Sequence, residues 1–396
     1  VIGPEYTLPP SSTPRPSATP TTGPSPTPLP TDTPAGPQPT ALPNLDASRV
    51  GIQLDPTLKQ SDWNEAMRRV NEVGFGWLKV QVAWKYLQPN GPDEFGEDFA
   101  RLQLYLQDAK KQRNLKVLVS IAKAPGWARS NQAEDGPPSD PQALARFISF
   151  FLTKFGDVID AVEIWNEPNL SREWQGQPLT GGSYMQYFGP AYNAVRAYSK
   201  SIIVVSAGLA PTGSQDGAAN DRTYLQQMYG AGLGRYSDIA VGIHPYSWGN
   251  SPDAQCCDTS DARGWDDDPH FFFSNNLSDY RKIMQANGHA SSQLWATEFG
   301  WATWQNFAGD APDKWMTYNS ECDQANYTLR AIQIGQGLDY MGPMFLWNLN
   351  FANQTSVSNR DERAAYSIVL PPGMPERRLY WMLYDAFRPD INRERC

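Results

Sequence analysis

The chain has 396 residues with 33 basic against 42 acidic side chains, a formal charge of −9 and a pI near 5.0. That balance argues against nucleic acid or an anionic membrane surface as partner. Hydrophobic residues make up 40% and aromatic ones 12%, enough for a large core, yet no run reaches the apolar length of a transmembrane helix.

Residues 1–43 hold 14 of the 34 prolines, nine threonines, four serines and only three charged side chains. Such a stretch cannot bury enough apolar surface to offset the entropy of ordering it. Residues 1–44 therefore read as an extended, polyproline-like spacer, a possible attachment to a surface or a second domain. Residues 45–396 read as one globular domain.

From there, short apolar runs alternate with helical periodicity. Val50–Leu54 precedes a helix capped by Ser61 and running through Glu65–Val73. Leu78–Trp84 precedes Glu97–Gln112, and Val117–Ala122 precedes a helix opened by Asp140-Pro141, where proline suits the first turn. Ala161–Trp165 leads to Ser183–Ser199, and Ile202–Ser206 to Asp221–Tyr229. Ile239–His244 is followed by a long loop and Phe271–Gln285. Leu294–Phe299 leads to Asp323–Ile334, and Met344–Asn348 to Glu376–Phe387. Strands alternating with helices imply parallel pairing with right-handed crossovers. Eight repeats predict an α/β fold, a closed (β/α)8 TIM barrel. No glycine-rich phosphate-binding string opens any helix, which disfavours a nucleotide-binding sheet.

Two strings place glutamates at strand ends: Trp165-Asn166-Glu167-Pro168-Asn169 and Ala296-Thr297-Glu298-Phe299-Gly300-Trp301. In a parallel barrel the C-terminal strand ends share one face, where catalytic groups collect. Two carboxylates presented there can cleave a glycosidic bond, one protonating the leaving oxygen and the other attacking the sugar. A buried salt bridge in the barrel is the bland reading of either glutamate alone. Glu163, Trp165 and Glu167 lie two residues apart, so strand periodicity points all three inward. A buried Glu163 needs a partner, and Lys79 on the second strand has the right parity to supply one.

The run Glu163–Asn169 resembles the acid/base strand of glycoside hydrolase clan A, and Ala296–Gly300 resembles its nucleophile strand. The resemblance extends to His244-Pro245-Tyr246 on the sixth strand and Trp347 on the eighth, and covers nearly all of Val50–Phe387. The Pro125-Gly126-Trp127-Ala128 turn leans towards family 39, with family 5 (cellulase-like) close behind. The resemblance implies Glu167 as acid/base and Glu298 as nucleophile. It implies Asn166 as a ligand of the sugar 2-hydroxyl, Tyr246 as a donor to Glu298, and His244 as a neighbour of the acid/base or of substrate. It also implies that Trp347 forms the sugar-binding floor, with a cis peptide to Asn348. Family 5 usually carries an arginine near the nucleophile where this chain has Lys79, so the usual two-pronged contact is in question.

Trp84, Trp127, Trp174, Trp248, Trp265, Trp304 and Trp347 lie at or beyond predicted strand ends, and about half are expected to face the cleft, with Trp84, Trp127 and Trp347 binding substrate. Asp266-Asp267-Asp268 with His270 reads as a helix cap ahead of a cation site. Cys256, Cys257, Cys322 and Cys396 lack zinc spacing and read as disulfides, a bridge from Cys256 or Cys257 to Cys322 being expected.

Together these features predict a retaining glycoside hydrolase acting on a β-linked oligo- or polysaccharide through a covalent glycosyl-enzyme, needing neither cofactor nor metal. The spacer and cysteines suggest an extracellular or cell-surface location. Two rival readings are a transglycosylase on the same site and a non-catalytic glycan-binding or cell-surface structural protein.

Overall fold

The computed structural model describes residues 44–130, 133–257, 268–388 and 396; the Pro/Thr/Ser-rich segment, Trp265, Asp266 and Asp267 lie outside them. Eight parallel strands close a barrel in sequence order: β1 (Val50–Leu54), β2 (Trp77–Ala83), β3 (Lys116–Ala122), β4 (Ala161–Ile164), β5 (Ile203–Ser206), β6 (Ile239–Ile243), β7 (Leu294–Phe299) and β8 (Met341–Leu346). The principal crossover helices are Gln60–Val73, Glu97–Gln107, Pro141–Phe155, Gly181–Tyr198, Asp221–Gly230, Phe273–Ala286 and Glu321–Gly337, with Arg378–Ala386 after β8. No helix among the described residues is long and apolar enough to cross a membrane.

Local chemistry sets most boundaries. Asp140 accepts a hydrogen bond from the Gln142 N–H with Pro141 in the first turn, satisfying a donor that the helix leaves open. Ser61 does not cap its helix: the chain turns helical at Gln60 after an extended Lys59, and the Ser61 hydroxyl bonds Asp62 within the first turn. Strand β8 starts at Met341 rather than Met344, because Gly342-Pro343 falls where the β7–β8 register shifts and a missing N–H is tolerated.

The cysteines pair differently from expectation. Cys322 bonds Cys396, and Cys256 bonds Cys257. Cys322 lies at the start of Glu321–Gly337, a helix about 25 Å long. The sequence left the partner of Cys396 open, because the last helix runs towards the face opposite Cys322; the structure gives it Cys322.

Inside the barrel the side chains form two strata. The floor is apolar, a cluster of Trp77, Leu118, Ala161, Val205, Ala240, Trp295 and Phe345. Two residues further along four of those strands stand Lys79, Ser120, Glu163 and Thr297, all fully buried and polar. Strand alternation makes each pair share an inward face, so the aromatic floor seals the underside of a polar layer that leads up to the C-terminal rim.

Candidate active site

The C-terminal rim opens into a cleft of about 880 Å³ whose lining includes Asn166, Glu167, Tyr246, Glu298 and Trp347. Glu167 follows β4 through a strained turn. Trp165 has φ 76° and Glu167 φ 43°, a left-handed conformation that side-chain-bearing residues seldom adopt and that persists where the surroundings enforce it. Lys123 and Trp248 share this conformation and also line the cleft. The turn overrides strand alternation, which corrects the expectation for Trp165. Its ring meets that of Trp174 edge-on at 5.4 Å and its Nε1 donates to the Glu173 carbonyl at 3.0 Å, so it packs the wall while Glu163 and Glu167 turn inward.

Lys79 is the keystone of the polar layer. Its ammonium donates to Glu298 Oε1 and to the Thr297 carbonyl, both at 3.0 Å, and lies 3.3 Å from Glu163 Oε2. The other Glu298 oxygen accepts from the Tyr246 hydroxyl at 3.0 Å. The hold that an arginine would exert with two prongs is thus divided between Lys79 and Tyr246. Burial pushes the Glu298 carboxyl up. Lys79, His244 and the bonds from Lys79 and Tyr246 outweigh it, holding Glu298 below the ordinary carboxylate range. Burial likewise pulls Lys79 down, and Glu163 and Glu298 more than restore it.

His244, fully buried, stands between the two glutamates. Its Nδ1 shares a hydrogen bond with Glu167 Oε1 at 3.0 Å and lies 3.8 Å from Glu298 Oε2, while Nε2 meets Thr297 Oγ1 at 3.1 Å. Burial lowers its pKa, but Glu298 and Glu167 leave it above the ordinary histidine value. One oxygen of each glutamate and one nitrogen of His244 all lie within 4.8 Å of one another, the one such trio among the described residues that could hold a metal ion. Both Glu298 oxygens already accept hydrogen bonds and His244 Nδ1 is engaged with Glu167, so this donor set is arranged for moving protons rather than as an open ligand cage.

Neighbouring residues fix these groups. Asn166 lines the cleft and is buried; its side-chain oxygen, itself buried, has no hydrogen-bond partner among the described residues. Gly208 was missed in the sequence: its N–H donates to Glu163 Oε1 at 3.1 Å, its carbonyl accepts from the Glu167 N–H at 3.0 Å, and a Cβ would collide with the His244 ring. Asn169 was missed too. It exchanges hydrogen bonds with Ala210 at 2.8 and 3.0 Å, tying the loop after β4 to the loop after β5.

The tryptophans divide. Trp347, joined to Asn348 by a cis peptide, lines the cleft beside Trp248 and packs on Tyr246 and Tyr366 with ring centroids 6.0 and 5.0 Å away. Trp315 and Tyr366 also line it, and nothing in their loop sequence marked them. Trp84 and Trp127 are not among the lining residues. The chain turns helical at Trp84, so its ring leaves the cleft to stack on Phe147 at 4.7 Å, and Lys85 and Tyr86 take the wall. Trp127 meets Trp84 edge-on and donates to the Gln88 carbonyl at 2.7 Å. Trp174 and Trp304 are buried in loop packing. Asp268 caps the turn Pro269–Phe271 through the His270 N–H, and His270 is paired with Asp268 and Asp221. Replacing Trp347 by Ala should lower turnover about tenfold or more with the melting temperature little changed; unchanged turnover would mark the ring as packing only.

Residues 38–330 match the family model for Cellulase (glycosyl hydrolase family 5). Solved structures share the fold at low identity. A family 39 glycoside hydrolase from the gut symbiont Bacteroides cellulosilyticus WH2 is 17% identical with a TM-score of 0.63, over 87% of this chain and 65% of that one. The β-glycosidase BGL167 is 14% identical with a TM-score of 0.57, over 84% and 87%. Cel5A of Thermotoga maritima, solved with cellobiose, is 12% identical with a TM-score of 0.53, over 85% and 96%. The chain thus spans under two thirds of the family 39 enzyme's length. No curated protein sequence matches it.

Proposed function

The chain belongs to the cellulase family, glycosyl hydrolase family 5, and from that membership we propose that it is a retaining glycosidase acting on a β-linked glycan. The observation that carries this reading is the approach of Glu167 and Glu298 around His244, one oxygen of each lying within 4.8 Å of the other. Retaining enzymes bring their carboxyl groups to about 5–5.5 Å, whereas inverting ones leave roughly 6.5–9.5 Å for a water between them. The environments also separate the roles. Glu298, held ionised by Lys79 and Tyr246, attacks the anomeric carbon as Glu167 protonates the departing oxygen. Glu167 then takes a proton from water, which releases the sugar from the Glu298 ester. Asn166 is placed to bond the sugar beside the acid, and Trp347 to support its apolar face.

Family membership supports a β-linked substrate, and the cellobiose bound by the Thermotoga enzyme is in keeping with that reading. Extracellular or surface display on the Pro/Thr/Ser-rich spacer belongs to the same reading, supported by the cysteine pairing, since disulfides persist in oxidising compartments.

The deciding experiment is hydrolysis of β-glucans and aryl β-glycosides followed by proton NMR. The first-formed product should be the β-anomer, and α-anomer would overturn the retaining mechanism. Glu167→Ala should cost about 10²–10⁴-fold on glycosides whose leaving oxygen needs a proton and far less in the first step on a dinitrophenyl glycoside. Added azide should then capture the glycosyl-enzyme as a β-glycosyl azide. Equal losses on both substrates would remove Glu167 from the acid role.

A further inference from the structure

Two amides line the cleft with a buried side-chain oxygen that bonds no other group among the described residues, Asn166 and Gln53. The reaction gives Asn166 a sugar to hold and leaves Gln53 without a task. Gln53 is 3% exposed and stands on β1 in register with Lys79 of β2. Registered neighbours in a parallel pair share a face, so its side chain points into the barrel with that of Lys79. On its other edge β1 pairs with β8, where Gly51 matches Phe345. Gln53 and Trp347 follow those two by two residues each, which sets them side by side above the apolar floor. In the closed ring the order is therefore Glu298, Trp347, Gln53, Lys79. The Gln53 carbonyl accepts from the Leu349 N–H at 3.1 Å, so the backbone is pinned and only the side chain can turn. A half-turn about its last bond exchanges amide oxygen and nitrogen without a change of shape. An unbonded buried amide costs stability, a cost that proteins carry where a site is built for a ligand.

Resting on the glycosidase reading, we propose that Gln53 is a specificity-determining residue whose amide bonds the hydroxyl at C3 or C4 of the sugar that Glu298 attacks. That sugar lays its apolar face on Trp347 and turns C1 towards Glu298. Gln53 lies beyond Trp347 from Glu298, so it meets the edge of the ring opposite C1. In a pyranose that edge carries C3 and C4. Asn166, next to the acid in the chain, serves the end of the sugar near C1. A hydroxyl both donates and accepts, and the amide offers one group of each kind, so the pair can form with either end of the amide turned to the sugar. A sugar that lacks this hydroxyl leaves the amide unbonded in a water-poor pocket, the condition under which discrimination is strong.

The test is kcat/KM on phenyl β-glucoside, or on whichever of the galactoside, mannoside and xyloside the parent cleaves faster, and on its 3-deoxy and 4-deoxy forms. The comparison is with Gln53→Met, which keeps an unbranched side chain and removes the amide. The parent should lose about tenfold or more on one of the two deoxy substrates. Gln53→Met should lose a similar factor on the intact glycoside and less than about threefold further on that same deoxy form, since groups that touch are not additive. A parent that tolerates both deoxy forms, or losses that simply multiply on each, overturns the proposal. The urea midpoint without sugar gives a second readout. Removing an unbonded amide should leave it at or above the parent's. A midpoint lowered by more than about 0.5 M, or a variant that does not fold, makes Gln53 a structural residue and overturns its role as a ligand. If the parent cleaves none of these glycosides, calorimetry with cellobiose decides. Binding about tenfold weaker in Gln53→Met supports the proposal; equal binding, or none in either protein, overturns it. Only failure to cleave every β-glucan and aryl β-glycoside would sink the glycosidase reading, and the calorimetry reads Gln53 apart from it.

Discussion

Glu298→Gln should lower turnover on every glycoside by about 10⁴-fold or more, or roughly 5.5 kcal/mol of transition-state stabilisation, with the barrel intact. The amide fills the carboxylate's volume, and its carbonyl oxygen can still accept from Lys79 at one of the two places now occupied, so the melting temperature should change little. What it cannot do is form the ester of the proposed double displacement. A 2-deoxy-2-fluoro glycosyl fluoride, which slows release of the covalent intermediate, should add one sugar mass to the Glu298 peptide of the parent and none to the variant. Residual turnover above about a hundredth of the parent's would mean that another group attacks the anomeric carbon.

Lys79→Met should damage stability and chemistry together. Methionine matches the length of the lysine stem and fits a packed interior, but it leaves Glu163 and Glu298 without the ammonium that lies 3.3 and 3.0 Å from them. Removing one partner of a buried ionic group costs about 3–5 kcal/mol, readable as a lowered urea midpoint. The pH profile supplies the second readout. Burial pushes Glu298 up, but Lys79, together with His244 and Tyr246, holds it below the ordinary carboxylate range. Activity from an ionised nucleophile is lost as pH falls through that value, so the parent's acid limb lies low. Without Lys79, burial raises the pKa and the limb should move up by more than about one unit. A variant with a parental urea midpoint and an unmoved limb would show that Tyr246 and His244 suffice.

The barrel could be read from sequence because both of its periods are regular. Apolar runs mark strands buried on both faces, and a spacing of two predicted that Lys79 and Glu163 share a layer. Glu167 and Glu298 were visible because they stand close to strand ends inside unusual strings. Where the backbone leaves its period, the reading fails. Left-handed Trp165 and helical Trp84 turn their rings away from the expected side within one residue of a strand end. Trp315 and Tyr366 sit in short 3-10 turns of the loops, too brief for a period to show in the sequence. Gly208 was silent because its role is an absence, the missing Cβ beside His244.

The position of His244 between the two glutamates, 3.0 Å from one and 3.8 Å from the other, has an electrostatic consequence for the reaction cycle. In the double displacement proposed above, Glu298 loses its negative charge on becoming an ester, and in the same step Glu167 gives up its proton and acquires a negative charge. The site therefore keeps its total charge, and a single unit merely crosses a few ångströms on either side of the imidazole. A buried pocket responds slowly and at high cost to a change in net charge, but a displacement between two prepared positions asks little of it. His244 can accordingly hold one protonation state throughout, and the Lys79 layer beneath the cleft has no cause to rearrange between the free enzyme and the covalent intermediate.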